Sequence, residues 1–198
     1  MANNCYNTIE IYGNAAVVAQ VHEWKKLLDS YLPTKEDPYC ARAIKEVFYP
    51  NTPIDQWPEY GSKWVYQDKE SIDSPDNGFG LRSAWGSPDE LEKHLACLLF
   101  EVDKNVIVRN SYNVDDGSLG ISYSTPVNNT DAYRQEAFVE CDYSDFEEPD
   151  EAEEDADERL LEAEHDMLTD YFLDDMPHLA IVFKSHFPNL NIDWSDYE

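Results

Sequence analysis

The sequence predicts an α+β fold: an antiparallel sheet with helices on one face, followed by an acidic helical C-terminal region. Segments of strand-like and helix-like hydrophobic period follow one another in the order strand, helix, two strands, helix and hairpin. The charge is divided unevenly, because residues 1–139 hold 21 acidic and 12 basic residues whereas residues 140–198 hold 21 acidic and 2 basic ones. We therefore predict an α+β domain over residues 1–139 and an acidic helical region, packed on it, over residues 140–198.

The first strand and the first helix are predicted from periodicity. In CYNTIEIYG, apolar Ile9 and Ile11 alternate with polar residues, which indicates a strand. Asn14 can cap a helix over the next segment, which ends before Pro33. Apolar residues recur along this helix every three or four positions, and we expect them to be buried: Val17, Val21, Trp24, Leu28 and Tyr31.

The middle of the chain predicts three more strands, a further helix and one ambiguous segment. AIKEVFYP favours a short helix or a strand, and SKWVYQDKES and FGLRSAW indicate two strands around a turn at residues 73–78. Ser87, with Pro88 at the first helical position and Glu90 three residues on, predicts a capping box for the helix PDELEKHLACLLF. NVIVRNSYNV and SLGISYS form a predicted hairpin joined at DDG, and AYRQEAFVECDY adds a strand.

Three short motifs resemble a known family. Cys5-x-Asn7, YGSKW at residues 60–64 and RSAWGSP at residues 82–88 look like the YubB-type ferredoxin-like domain of phages and plasmids, in which the last two segments read approximately WGTKW and TAWSPP. Tyr60 replaces a tryptophan, and Gly86 interrupts the second of these segments. The resemblance covers roughly residues 4–125. It implies a ferredoxin-like fold and a mobile-element origin, but it supplies no catalytic residues and leaves residues 140–198 as an addition.

Composition narrows the function classes. The net charge of −28 repels nucleic acid and membrane phosphates and attracts basic surfaces. The chain opens without a basic start and an apolar run, and it holds no stretch of ~18–20 apolar residues. Its four cysteines lack a Cys-x-x-Cys pair, which favours reduced thiols over disulfides or zinc. We expect a soluble protein in the cytoplasm of a bacterial host cell.

The sequence contains no convincing motif for catalysis, metal binding or base stacking. Glu162-x-x-His165 is half of a di-iron motif without a second copy. The acid-and-glycine segments at residues 73–78 and 114–118 fit turns better than calcium loops. The five tryptophans are better explained by core packing than by a stacking platform for bases. We predict no catalytic residues, no metal and no cofactor; a hydrolase with a dispersed active site is the least favoured alternative.

The acidic segment at residues 144–176 also has a helical apolar stripe. Its members are Leu160, Leu161, Met167, Leu168, Tyr171, Phe172 and Met176. Pro177 ends the pattern. A disordered solubilising tail has no use for such a stripe, so we predict an ordered helix docked through Leu160, Leu161, Leu168 and Phe172, with residues 144–155 as a candidate loop.

The other face of this predicted helix is acidic. Its principal residues lie four apart: Glu158, Glu162, Asp166, Asp170 and Asp174. Like charges at that spacing cost ~0.2–0.5 kcal/mol per pair, so stability alone does not favour the pattern. If the helix spans residues 153–175, its eleven carboxylates give roughly one charge per 3 Å, close to the ~3.4 Å of one DNA strand.

These observations predict an interaction protein that acts as a nucleic-acid mimic. It would place carboxylates in the basic DNA- or RNA-binding groove of a host defence complex, as an anti-CRISPR or anti-restriction inhibitor. The partner-binding residues are the five acids above together with Glu153, Glu154, Asp155 and Asp157. The alternatives are an acidic chaperone or antitoxin for a basic protein, and a solvated acidic helix without a partner.

Overall fold

A computed structural model describes residues 3–53, 55–68, 75–141, 149–190 and 192–197. Its six-stranded antiparallel sheet has the order β2-β3-β1-β4-β5-β6. The strands are β1 Asn4–Tyr12, β2 Lys63–Gln67, β3 Gly78–Ala84, β4 Ile107–Val114, β5 Leu119–Pro126 and β6 Ala132–Val139. The helices are α1 Ala15–Ser30, α2 Ala41–Phe48, α3 Asp89–Leu99, α4 Pro149–Met167, α5 Leu173–Asp175 and α6 Ala180–His186. The predicted α+β class is confirmed, and so is the predicted order of elements.

Both faces of the sheet carry helices. Alternate residues of β1 and β4 point to opposite sides, so Ile11 and Val108 join the core formed with α1, α2 and α3. Their neighbours Tyr12 and Ile107 join a second core, which contains residues of α4, α5 and α6. The face under α1, α2 and α3 is called the front face below, and the face under α4 and α6 the back face.

Helix α1 follows its sequence pattern closely. The Asn14 side chain accepts hydrogen bonds from the backbone N–H groups of Ala16 at 2.9 Å and Val17 at 3.2 Å, as the predicted cap requires. Four of the five predicted stripe residues are buried: Val17, Val21, Trp24 and Leu28. The segment AIKEVFYP, which left helix and strand open, forms α2.

The predicted capping box at α3 is wrong. Helix α3 begins at Asp89, and no side chain caps its first turn. The Ser87 hydroxyl instead accepts a hydrogen bond from Arg134 Nη2 at 2.9 Å and donates to Glu136 Oε1 at 3.3 Å. Glu90 pairs with Lys93. The Ser87 hydroxyl therefore forms hydrogen bonds with the distant strand β6 and not with the first turn of α3, as the local pattern had predicted.

The turns are largely those expected. Gly117 adopts φ 86°, which glycine tolerates, in the turn between β4 and β5. Before β3, the Gly78 N–H donates to the Pro75 carbonyl at 3.2 Å, whereas residues 73 and 74 of that predicted turn lie outside the described residues.

The C-terminal region forms a succession of helices. Helix α4 runs directly into a π-helical segment, Leu168–Phe172, and then into α5 and α6. Residues 149–155 are helical rather than the predicted loop, and residues 144–148 lie outside the described ones. Within the described part, no helix is both long and apolar enough to cross a membrane.

Candidate functional site

Helix α4 docks on the back face of β5 and β6. A buried seam runs along α4 and the π-helical segment that follows it in steps of four residues. We define it as Ala156, Leu160, Glu164, Leu168 and Phe172. Leu160 is half-buried and the other four are at most 5% exposed. The alanine at the start of the seam, like Ala152 one turn earlier, allows the helix backbone to approach the sheet closely.

The predicted docking residues are confirmed except for one. Leu168 and Phe172 are fully buried, and Leu160 packs against the same core. Leu161 is 65% exposed, so its assignment to the docking face was wrong. It lies one residue beyond Leu160, about 100° around the helix, and the position that continues the seam is occupied by Glu164.

The acidic line lies opposite the buried seam. We define this line as the five acids Glu158, Glu162, Asp166, Asp170 and Asp174, all of which are exposed. Each follows a seam residue by two positions, which is about 200° around an α-helix. In the π-helical segment the turn is wider, yet Asp170 and Asp174 stay exposed while Leu168 and Phe172 stay buried.

The supporting acids have mixed positions. Glu154 and Asp157 are exposed, and Asp155 is half-buried. Arg159 Nη1 pairs with Asp155 Oδ2 at 3.2 Å. The side chain of Glu153 lies outside the described ones. In the described part of the chain, the acidic line makes no ion pair.

Glu164 is the acid in this region that the sequence analysis misplaced, because it was counted with the surface charge. Its carboxylate is 5% exposed and accepts a hydrogen bond from the Tyr123 hydroxyl at 2.5 Å. Arg109 donates to the same hydroxyl at 3.2 Å and pairs with Glu10. Burial and the nearby Glu164 carboxylate raise the pKa of Tyr123 well above its ordinary value. The position of Glu164 in the seam was the signal that could have identified it.

A second buried polar network lies on the front face under α3. Glu92 is fully buried, and its carboxylate accepts hydrogen bonds from Asn110 at 2.7 Å, Ser122 at 2.6 Å and Arg134 at 2.9 Å. Arg134 also pairs with Glu136 at 2.8 Å. The network joins α3 to β4, β5 and β6 and satisfies a buried charge that would otherwise be costly.

A pocket of about 470 Å³ opens beside this network, where α3 begins. We call it the front pocket. Its aromatic residues are Trp85, Tyr112 and Phe138, and its charged residues are Asp89, Asp116, Arg134 and Glu136. No sequence pattern predicted that these residues form a site. They come from three separate parts of the chain, and no local spacing connects them.

The prediction that the tryptophans serve core packing holds for Trp24 but is wrong for three others. Trp57 is 55% exposed, Trp64 66% and Trp85 68%. Trp64 and Trp85 also have left-handed backbones, with φ 54° and 77°. For a residue other than glycine this conformation costs about 1–2 kcal/mol, so the chain places two exposed indoles at strained positions.

The described histidines and carboxylates do not form a metal site. His94 Nε2 lies 2.8 Å from the Phe48 carbonyl oxygen, and its ring stacks on Tyr49 at 4.0 Å. Among the described residues, no three His, Cys, Asp or Glu side chains are grouped so that they could hold a metal ion.

Comparisons with protein-family models, curated proteins and solved structures find no match. Function is therefore inferred from the geometry and charge of the acidic line and the front pocket.

Proposed function

We propose that this protein is an acidic interaction protein that mimics nucleic acid and blocks the basic DNA- or RNA-binding groove of a host defence complex, a CRISPR effector or a restriction enzyme. The observation that carries the proposal is the position of the acidic line. Five carboxylates without ion pairs in the described structure face solvent on the side of the helix opposite its buried seam.

The charge density supports mimicry, although it is lower than the sequence suggested. Four of the eleven acids at residues 153–175 are not counted. The side chain of Glu153 lies outside the described ones, Glu164 is buried, Asp155 is paired with Arg159, and Asp175 accepts a hydrogen bond from Tyr133. Seven exposed acids remain between residues 154 and 174. At ~1.5 Å rise per residue they give roughly one charge per 4.5 Å, compared with ~3.4 Å along one DNA strand.

The docked helix also reduces the cost of binding. Because its seam is packed against the sheet, the carboxylates are presented on an ordered support and less conformational entropy is lost on association. Leu161 and Tyr171, 65% and 58% exposed, lie among the acids. Tyrosine is enriched in protein interfaces.

We further propose that the front-face unit is a ferredoxin-like domain of the YubB type, carried by a mobile element and acting in the bacterial cytoplasm, to which the acidic region is an extension. The strand order β2-β3-β1-β4, with helices after β1 and β3, is that of a βαββαβ unit. Two motifs of the resemblance also meet, because Ser62 donates to the Ala84 carbonyl at 2.6 Å. The Tyr60 carbonyl of the first motif accepts from the N–H of Glu90, two residues beyond the second motif, at 3.1 Å.

Two variants with equal net charge show whether binding depends on the acidic line itself or only on the net charge of the protein. The line variant replaces the acidic line by the corresponding amides: E158Q, E162Q, D166N, D170N and D174N. The matched control neutralises five exposed acids of the N-terminal part: E36Q, D55N, E59Q, E101Q and D131N. Each protein is immobilised and exposed to bacterial lysate, and captured proteins are quantified with and without competing duplex DNA.

We expect the parent and the control to capture nucleic-acid-binding proteins that duplex DNA displaces, and the line variant to lose them. Equal capture by the line variant and the control would contradict the proposal. Capture of many basic proteins regardless of DNA would support an acidic chaperone instead.

A further inference from the structure

The front pocket combines aromatic surface with negative charge. Three carboxylates line it, from Asp89, Asp116 and Glu136, against one base, Arg134. That base is already neutralised, because its guanidinium pairs with Glu92 and Glu136. The pocket therefore keeps an excess of negative charge, which disfavours phosphates and other anions and favours a cation.

Two of these carboxylates, those of Asp116 and Glu136, are stabilised in their charged form. Asp116 accepts hydrogen bonds from the Ser118 N–H at 3.0 Å and from Asn3 at 3.3 Å, and these bonds lower its pKa. Burial opposes the ionisation of Glu136, but hydrogen bonds from Arg134, Tyr112 and Ser87 outweigh it and lower the pKa of this carboxyl group too.

The turn that carries Trp85 is held by hydrogen bonds as well. The backbone N–H of Trp85 donates to the Asn3 carbonyl at 3.0 Å, and the Ser83 hydroxyl bridges the turn by donating to the Gly86 carbonyl at 2.7 Å. Phe138 stacks on Tyr112, with ring centroids 6.4 Å apart and planes inclined by 22°. Aromatic faces near carboxylates recognise cations, and a planar guanidinium can stack on the indole while it hydrogen-bonds a carboxylate.

The order of residues in the turn indicates a role for the indole itself. Trp85 holds the left-handed position, whereas Gly86, the next residue, does not have a positive φ. A Cβ at position 86 would meet no atom within 4 Å. The opposite order, glycine at 85 and tryptophan at 86, would avoid the strain. The chain instead has an exposed indole at the wall of the pocket, on a residue whose backbone is strained.

We propose that the front pocket binds an arginine side chain of a protein partner, with the guanidinium stacked on Trp85 and hydrogen-bonded to Asp116. A volume of about 470 Å³ is in the range of ligand pockets, ~300–1,000 Å³, and accommodates the side chain together with adjoining peptide. This site goes beyond the proposed mimicry: it lies on the front face, whereas the acidic line belongs to a helix on the back face.

The test is a titration of isotope-labelled protein with three capped tripeptides, Gly-Arg-Gly, Gly-Lys-Gly and Gly-citrulline-Gly, and with spermidine. Citrulline keeps the shape of arginine without its charge. The Trp85 indole N–H signal is assigned from its loss in W85G, and dissociation constants come from the backbone amides of Gly117 and Ser118. We expect the arginine peptide to bind tightest, the lysine peptide more weakly and the citrulline peptide not at all.

Variants then test the two contacts. W85G removes the indole and relieves the backbone strain. D116N removes the charge but keeps one oxygen, which can still accept from the Ser118 N–H, while the hydrogen bond from Asn3 is lost. Each should weaken binding of the arginine peptide about fivefold or more. W64G is the matched control, because it removes another exposed indole with a left-handed backbone that lies outside the pocket, and it should have no effect.

Several outcomes would overturn the proposal: no saturable shift with millimolar arginine peptide, equal binding of the citrulline peptide, tighter binding of spermidine, or equal weakening by W64G. The line variant of the proposed function should bind the arginine peptide as the parent does. The two proposals can therefore fail independently.

Discussion

Two leucines of the same helical region provide a matched test of how it docks. Leu168 is fully buried in the back-face core with Phe172, whereas Leu161 is 65% exposed. Truncating a buried leucine to alanine loses its transfer free energy and leaves a cavity, at a cost of about 2–5 kcal/mol. Truncating an exposed one usually changes stability by less than about 0.5 kcal/mol. L168A should therefore destabilise the protein by at least about 2 kcal/mol, and L161A hardly at all.

The assay is urea unfolding of the parent and both variants, followed by far-UV circular dichroism and by tryptophan fluorescence. If the C-terminal helices unfold with the rest, the midpoint of L168A falls and the slope is unchanged. If they detach separately, L168A shows an early transition in helical signal. Similar midpoints for L161A and L168A, or a larger loss for L161A, would refute the docking geometry.

Three further predictions concern buried or constrained groups. E164A should cost about 1–3 kcal/mol because it leaves the buried O–H donor of Tyr123 without its acceptor. A double-mutant cycle with Y123F should show strong coupling between the two residues in urea unfolding. Burial raises the pKa of the Cys5 thiol from 9.0 to about 12, so the thiol ionises at lower pH in the unfolded chain than in the folded protein. The contribution of Cys5 to stability should therefore fall as the pH rises from 9 to 12. Over that range the urea midpoint of C5A should fall less than that of the parent. G117A should cost about 1–2 kcal/mol because Gly117 is left-handed, at φ 86°, whereas G86A should unfold at the same urea concentration as the parent; equal effects would contradict the assigned turn.

Local patterns predicted those elements whose residues interact with near neighbours. The Asn14 cap and the buried stripe of α1 follow from spacings of two to four residues, and both are present. The turn at Gly117 follows from the DDG segment for the same reason. Such interactions can be predicted because the sequence places the partners side by side.

Predictions failed where a distant partner decided the outcome. Ser87 has a capping spacing, but Arg134, 47 residues away, occupies its hydroxyl. Glu164 belongs to a run of acids, but its carboxylate is buried and accepts a hydrogen bond from Tyr123, 41 residues away. The front pocket could not be predicted from local patterns for the same reason, because strand pairing and the start of α3 bring its residues together.

If the acidic line replaces phosphates, binding to the protein that DNA displaces in the capture experiment must depend on salt concentration as DNA binding does. Affinities of the parent, the line variant and the matched control are measured over a range of salt concentrations. Each phosphate-like contact contributes up to about 0.9 to the slope of log affinity against log salt, so losing five contacts should flatten the slope by as much as about 4.5. We expect a steep slope for the parent and the control and a shallow one for the line variant. Equal slopes for the line variant and the control would contradict the replacement of phosphates by the acidic line.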